Sequence, residues 1–289
     1  MQIMESLTWA NNKLKGHGVS DAPMLDAQLL LAYVLDRPKN YLFTHMDESL
    51  SEGALERFEQ LVERRSRHEP VAYILGWKDF YGRSFLVNPF VLIPRPETEQ
   101  VVEAALAEAT SGRDTLFIDI GTGSGAIAVT LAAESGLPVI AVDVSDRALT
   151  VARQNAAINK VDDRVTFVSG SLIDPIDPTN TKPLEQVVIV ANLPYLSTRQ
   201  WTQAQADVHD FEPRLALDGG VDGLELYNDL FRSLQLRRDD FPTQLSVVFE
   251  IDPDQRMGAP SVVKHYFPNA EVRVLNDLTN RARIVVAKL

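Results

Sequence analysis

Apolar positions in the N-terminal quarter of the chain recur at helical spacing. Leu7 and Leu14 lie a heptad apart; Leu25, Leu29 and Ala32 follow an i, i+4, i+7 stripe, and Leu31 and Leu35 stand four apart. Ser20 or Asp21 can cap this second segment, with Pro23 in its first turn. Ser49 with Glu52 matches a capping box, after which Leu55, Phe58, Leu61 and Val62 line one face. Residues 1–70 thus read as a small helical bundle, closed by Pro70. From Val71 to Val91 the pattern turns aromatic and β-branched (Tyr73, Ile74, Trp77, Phe80, Tyr81, Phe85, Val87), punctuated by Gly76, Gly82 and Asn88. That composition predicts a β-hairpin, and residues 71–95 read as a linker.

From residue 96 helical and strand patterns alternate. Helices are expected over Pro96–Glu108, Ser124–Ala133, Asp146–Ile158, Gly223–Leu236 and Gln255–Tyr266. Strands are expected over Leu116–Ile120, Val139–Val142, Val165–Val168, Val187–Val190, Leu245–Ile251, Glu271–Leu275 and Arg283–Ala287. Such alternation predicts an α/β domain over 96–289, with a seven-stranded, mostly parallel sheet covered on both faces and its last two strands paired antiparallel.

Composition narrows the chemistry. The chain has no cysteine, so disulfides, thiolate zinc sites and cysteine nucleophiles are excluded. The formal net charge of −12 argues against a protein that grips a phosphate backbone over a wide face. The locally basic run Glu63–His68 reads as a solvated helix end. No apolar run is long enough for a membrane span and Met1–Lys15 lacks a secretory pattern, so a cytoplasmic protein is expected. His68, His209 and His265 are scattered without ligand spacing, and no metal site is read.

The segment Phe117-Ile118-Asp119-Ile120-Gly121-Thr122-Gly123-Ser124-Gly125 is an apolar strand running into a glycine turn and a helix, the place where ligands bind in open α/β sheets. Val139-Ile140-Ala141-Val142-Asp143 puts a carboxylate at the end of the next strand, able to accept both ribose hydroxyl protons of a nucleoside. Dinucleotide sites use Gly-x-Gly-x-x-Gly to seat a pyrophosphate. Here Gly121, Gly123 and Gly125 alternate instead, which matches class I methyltransferases and S-adenosyl-L-methionine, a cofactor with no phosphate. The cofactor-binding candidates are Gly121, Thr122, Gly123, Ser124, Gly125, Asp143, Leu172 and Asn192.

Asn192-Leu193-Pro194-Tyr195 ends the fourth strand and resembles the Asn-Pro-Pro-Tyr signature of amino-methyltransferases that modify planar nitrogens. An amide nitrogen is a poor nucleophile because its lone pair is delocalised into the carbonyl. Two acceptors on its N–H groups hold it and turn the lone pair toward the methyl. Asn192 Oδ1 and the Leu193 carbonyl are those acceptors. Pro194 biases Leu193 to an extended conformation, and Tyr195 offers a flat face. Catalysis would be alignment and hydrogen bonding, without a dedicated base.

The stretches Glu69–Gly76, Phe80–Gly82, Phe85–Val87 and Val91–Glu99, then Phe211–Leu217, Gly219-Gly220, Asp222–Leu224 and Phe249–Ile251 with Gln255, closely resemble the PrmC/HemK family. That resemblance implies a class I (Rossmann-like) methyltransferase domain that methylates N5 of the glutamine in the Gly-Gly-Gln loop of class I peptide chain release factors. The partner would be the release factor, docked by the helical bundle, with no membrane and no direct nucleic-acid binding and with a monomeric enzyme. Asn192, Leu193, Pro194 and Tyr195 would clasp the glutamine, and the segment Ile93–Thr98, with Pro94 and Arg95, would line the site. The sequence departs from the family pattern in three places: Leu193 for a proline, Ser171-Leu172 for an aspartate with an aromatic near the adenine, and Asp252 for a glycine. Because Asn-Leu-Pro-Tyr also occurs in rRNA adenine dimethyltransferases, an rRNA or DNA amino-methyltransferase is the alternative.

Overall fold

The structure, a computed structural model, describes residues 1–19, 21–110 and 114–289. It divides into two compact units, one of Met1–Trp77 with Ala204–Glu212 and one of Lys78–Gln203 with Pro213–Leu289.

The first unit carries helices Ile3–Gly16, Pro23–Leu35, Lys39–Thr44, Glu52–Ser66 and Val71–Leu75. Leu7 and Leu14 are buried together with Ile3, Leu30, Phe58 and Val62. In the second helix the buried face is Ala27, Leu30, Leu31 and Ala32; Leu25, placed by the heptad reading on the apolar stripe, is exposed. With apolar residues at most positions of that helix, the period alone does not say which face turns inward. Ala22 stands at its N-cap, and Ser20 lies outside the described residues. The fourth helix is capped by Ser51, whose side chain accepts from the Ala54 N–H, and not by Ser49, which forms a bridge with Gln2. Val71–Leu75 is a short helix ended by Gly76 at φ +81, so the hairpin is shorter than the pattern predicts.

The hairpin consists of β1 (Trp77–Phe80) and β2 (Arg83–Leu86). From Lys78 on it belongs to the second unit, where Phe80 and Phe85 are buried in the core. Buried Asn155 fastens it: its Nδ2 donates to the Leu86 carbonyl (3.0 Å) and its Oδ1 accepts from the Leu86 N–H (2.7 Å).

The main sheet is built from β3 (Thr115–Ile120), β4 (Val139–Asp143), β5 (Val165–Ser169), β6 (Gln186–Ala191), β7 (Gln244–Glu250), β8 (Glu271–Asn276) and β9 (Ala282–Lys288), in the order β5-β4-β3-β6-β7-β9-β8. β9 runs antiparallel to both β7 and β8; the other pairings are parallel. β3 and β6 are buried at every position because helices cover both faces, which is why they read as unbroken apolar runs. Strand order reverses between them: β3 meets β4 on one side and β6 on the other. In register, Ile120 stands beside Ala191, so the glycine turn after β3 and the tetrad after β6 emerge side by side at the carboxyl edge, where open sheets bind ligands.

Candidate active site

The glycine turn is held from below by two carboxylates. Asp119 Oδ2 accepts from the Thr122 hydroxyl (2.6 Å) and the Ala128 N–H (3.2 Å), while its Oδ1 is buried without a hydrogen-bond partner among the described residues. Asp143 Oδ2 accepts from the Gly123 N–H (2.8 Å) and its Oδ1 from the Ser145 N–H (2.8 Å). Burial raises the pKa of Asp143, and pushes that of Asp119 up to about 7. Neither is paired with a Lys or Arg among the described residues. Asn155, in the helix Asp146–Ile158, also donates to the Ser124 carbonyl (2.8 Å), tying the turn to the residue that fastens the hairpin.

Above the turn lies a cavity of about 420 Å³. It brings together Gly121, Thr122, Gly123, Ser124, Asp143, Leu172, Asn192, Leu193 and Pro194 with Pro94 and Arg95. Of the residues singled out in the sequence, Gly125 and Tyr195 do not line it. Gly125 is the N-cap of the following helix at φ +79, where an added Cβ would stand 3.1 Å from the Cβ of Ala152. Tyr195 lines a smaller cavity of about 30 Å³ that shares Leu92, Arg95, Asn192 and Ala216 with the large one.

The volume is in the range of about 300–1,000 Å³ that holds small cofactors. Asp143, which lines the cavity without a Lys or Arg partner among the described residues, suits a ligand that brings positive charge, and the glycine turn lets a nucleoside approach the backbone. The residues present therefore fit S-adenosyl-L-methionine. Leu172, at φ +48, borders the cavity where the family pattern has an aspartate and aromatic.

The tetrad is pinned on every side except one. Leu193 N–H donates to the Tyr227 hydroxyl (3.3 Å), the Tyr195 carbonyl accepts from Gln255 Nε2 (2.9 Å), and the Tyr195 hydroxyl donates to Glu250 Oε1 (3.0 Å). Asn192 Nδ2 donates to Thr98 Oγ1 (3.1 Å). Neither Asn192 Oδ1 nor the Leu193 carbonyl accepts a hydrogen bond from the described residues. Burial, with the neighbouring Glu250 charge, raises the Tyr195 pKa, so this side chain is a neutral donor. Thr98, in the segment Ile93–Thr98 expected to line the active site, borders the cavity, whereas Tyr227 and Glu250 were not singled out as site residues in the sequence. Thr98 and Glu250 lie within segments that carry the family resemblance, but nothing in their spacing says that they meet.

Residues 5–76 match the family described as PrmC N-terminal domain, and residues 97–194 match ribosomal protein L11 methyltransferase (PrmA). The chain is 38% identical to the release factor glutamine methyltransferase of Bacillus subtilis (strain 168), covering 99% of this chain and 97% of that protein. With the release factor glutamine methyltransferase of Bacillus cereus it shares 34% identity over 100% of both. Among solved structures, the hMettl16 catalytic domain in complex with a MAT2A 3′UTR hairpin superposes with a TM-score of 0.53 at 14% identity, covering 82% of this chain and 81% of that one, a likeness of fold.

Proposed function

The chain belongs to the release factor glutamine methyltransferases, and from that premise we propose that it methylates N5 of the glutamine in the Gly-Gly-Gln loop of class I peptide chain release factors at the cavity between the glycine turn and Asn192. S-adenosyl-L-methionine is the methyl donor; when bound, it supplies an electrophilic methyl carried on a sulfonium. Gly121, Thr122, Gly123, Ser124 and Leu172 would hold it, with Asp143 toward its ribose hydroxyls. Asn192 Oδ1 and the Leu193 carbonyl take the two N–H groups of the substrate carboxamide, and Tyr195, Pro194, Pro94 and Arg95 frame it. A carboxamide so held has its lone pair turned away from conjugation with its own carbonyl, and the hydrogen bonds strengthen as the nitrogen gains positive charge. The N-alkylated, protonated amide sheds its proton readily, so no side chain is assigned as a base.

One observation carries this reading: the two residues that bear the acceptors the chemistry requires are adjacent and line the same cavity, and neither acceptor takes a hydrogen bond from the described residues. That Leu193 replaces a proline is compatible with it, since only the main-chain oxygen of this residue takes part. The helical unit of residues 1–77 docks the release factor, and the enzyme acts as a cytoplasmic monomer without contacting nucleic acid. Incubation with labelled S-adenosyl-L-methionine tests the proposal. Label should enter a release factor, be lost when its Gly-Gly-Gln glutamine is changed to alanine, and be absent from rRNA and DNA. Label on nucleic acid alone would refute it.

A further inference from the structure

Three hydroxyls converge on Glu250, which is 1% exposed at the end of β7. Thr98 Oγ1 donates to its Oε2 (2.7 Å), the Tyr195 hydroxyl to its Oε1 (3.0 Å), and the Tyr227 hydroxyl to its main-chain carbonyl (2.6 Å). Thr98, 4% exposed, also accepts from Asn192 Nδ2 (3.1 Å). Through these bonds one buried residue reaches both ends of the tetrad. Tyr227, which accepts from the Leu193 N–H, joins the second acceptor residue to the same strand end.

The direction of each bond matters more than its length. A carboxylate only accepts, and a threonine hydroxyl has one proton. Thr98 gives that proton to Glu250 and keeps only lone pairs for Asn192. Asn192 must answer with its NH2, and its Oδ1 is then the amide atom turned to the cavity. The opposite amide orientation has nearly the same shape but would set NH2 against the NH2 of a substrate carboxamide. With both Glu250 and Thr98 buried, the relay is shielded from the water that would otherwise offer either polarity.

We infer that Glu250, acting through Thr98, sets the amide orientation of Asn192, so that an acceptor and not a donor meets the substrate nitrogen. Both are positioning residues; neither touches the reacting atoms. The inference rests on the reading of the site as a glutamine methyltransferase.

Thr98→Val keeps the shape and removes the relay. It should lower kcat by roughly 10- to 100-fold, the scale of a misplaced catalytic group. The KM for the release factor and the calorimetric affinity for S-adenosylhomocysteine should stay within about twofold, since Asn192 would be misdirected and not lost. Thr98→Ser, which keeps the hydroxyl, should recover most of the rate. Glu250→Met should also lose kcat, because Thr98 is then free to donate to Asn192; if that variant does not fold, the Thr98 pair decides. A Thr98→Val enzyme with wild-type kcat would overturn the inference. So would a Thr98→Ser enzyme as slow as Thr98→Val, or a loss of cofactor affinity in step with the rate. A second measurement does not need the substrate: the side-chain amide ¹⁵N–¹H signals of Asn192, assigned by their disappearance in Asn192→Ala. They should shift and exchange faster with water in Thr98→Val; unchanged signals would overturn the relay. If the wild-type enzyme leaves the release factor unlabelled, the proposed function fails and these signals alone judge the relay.

Discussion

Asp119 has one oxygen held by Thr122 and Ala128 and the other buried without a hydrogen-bond partner among the described residues. Burial holds its pKa near 7 against an ordinary 3.8, so between those values the folded chain keeps a proton that the unfolded chain has released. The group's contribution to stability is therefore present at acid pH and lost as pH rises through about 7. As far as this residue decides, the ligand-free enzyme should melt at a lower temperature at about pH 8 than at about pH 5. Asp119→Asn, which cannot ionise, should flatten that slope; an identical Tm-against-pH curve in the variant would contradict it. At Asp143 the expected loss is in the cofactor. Asp143→Ala should weaken S-adenosylhomocysteine binding by about 1.5–3 kcal/mol, the scale of a hydrogen bond to a charged group, and unchanged calorimetric affinity would remove its ribose role. Asn192→Ala should instead cost kcat roughly 10²-fold or more, with a smaller loss of cofactor affinity. Equal losses in both would mean that the residue only shapes the cavity. These residues were legible because each belongs to a short contiguous motif. Their supports were not: Thr98 and Glu250 are 152 positions apart and Asn192 and Thr98 are 94 apart, and no local pattern couples them.

Among the elements, the strand–turn–helix after β3 shows how tightly local sequence and packing agree. Gly125 caps its helix with φ +79, and a Cβ added there would stand 3.2 Å from the Cα of Ala152. Gly125→Ala should cost about 1–2 kcal/mol for the left-handed conformation alone, before any shift of Ala152, read as a lower midpoint in urea unfolding. A midpoint equal to wild type would show that the turn has slack. The helices of the sheet domain were readable because periodicity over ten or so residues averages out exceptions, and the central strands because they are short unbroken apolar runs bounded by turn residues. Between β6 and β7 the helix Glu225–Leu236 was readable, but the stretch 197–217 before it was not. Its pieces, Thr198–Thr202, Ala206–His209 and the 3-10 turn Arg214–Ala216, are too short to show a period, and their conformation is set by capping and packing. The fourth helix carries the opposite lesson. The run Glu63–His68 reads as solvated, yet Arg65 is 4% exposed. It continues the inward face of Phe58 and Val62, a spacing that could have marked it.

On the scale of the whole molecule, Arg65 works as a hub of the helical unit. It donates to Asp26 (2.8 Å) and to the Val19 and Glu69 carbonyls (2.7 and 3.2 Å), and it lies 3.7 Å from Asp207 in the segment Ala204–Glu212. Arg65→Met should destabilise that unit by about 3–5 kcal/mol, because it leaves buried acceptors and an acid without their counter-charge. Far-UV circular dichroism during urea unfolding should report it; a transition that does not move would mean that water or a rearranged neighbour replaces the guanidinium. The sequence suggested a clean succession of bundle, linker and catalytic domain, since composition changes once near Pro70 and nothing in residues 204–212 marks them as belonging to the bundle. The polypeptide in fact passes from one unit to the other at 77/78, 203/204 and 212/213. A gene cut at any single point cannot yield both units intact. Recombination would thus have difficulty trading one helical unit for another, and the two units of this enzyme are bound to be inherited as one piece.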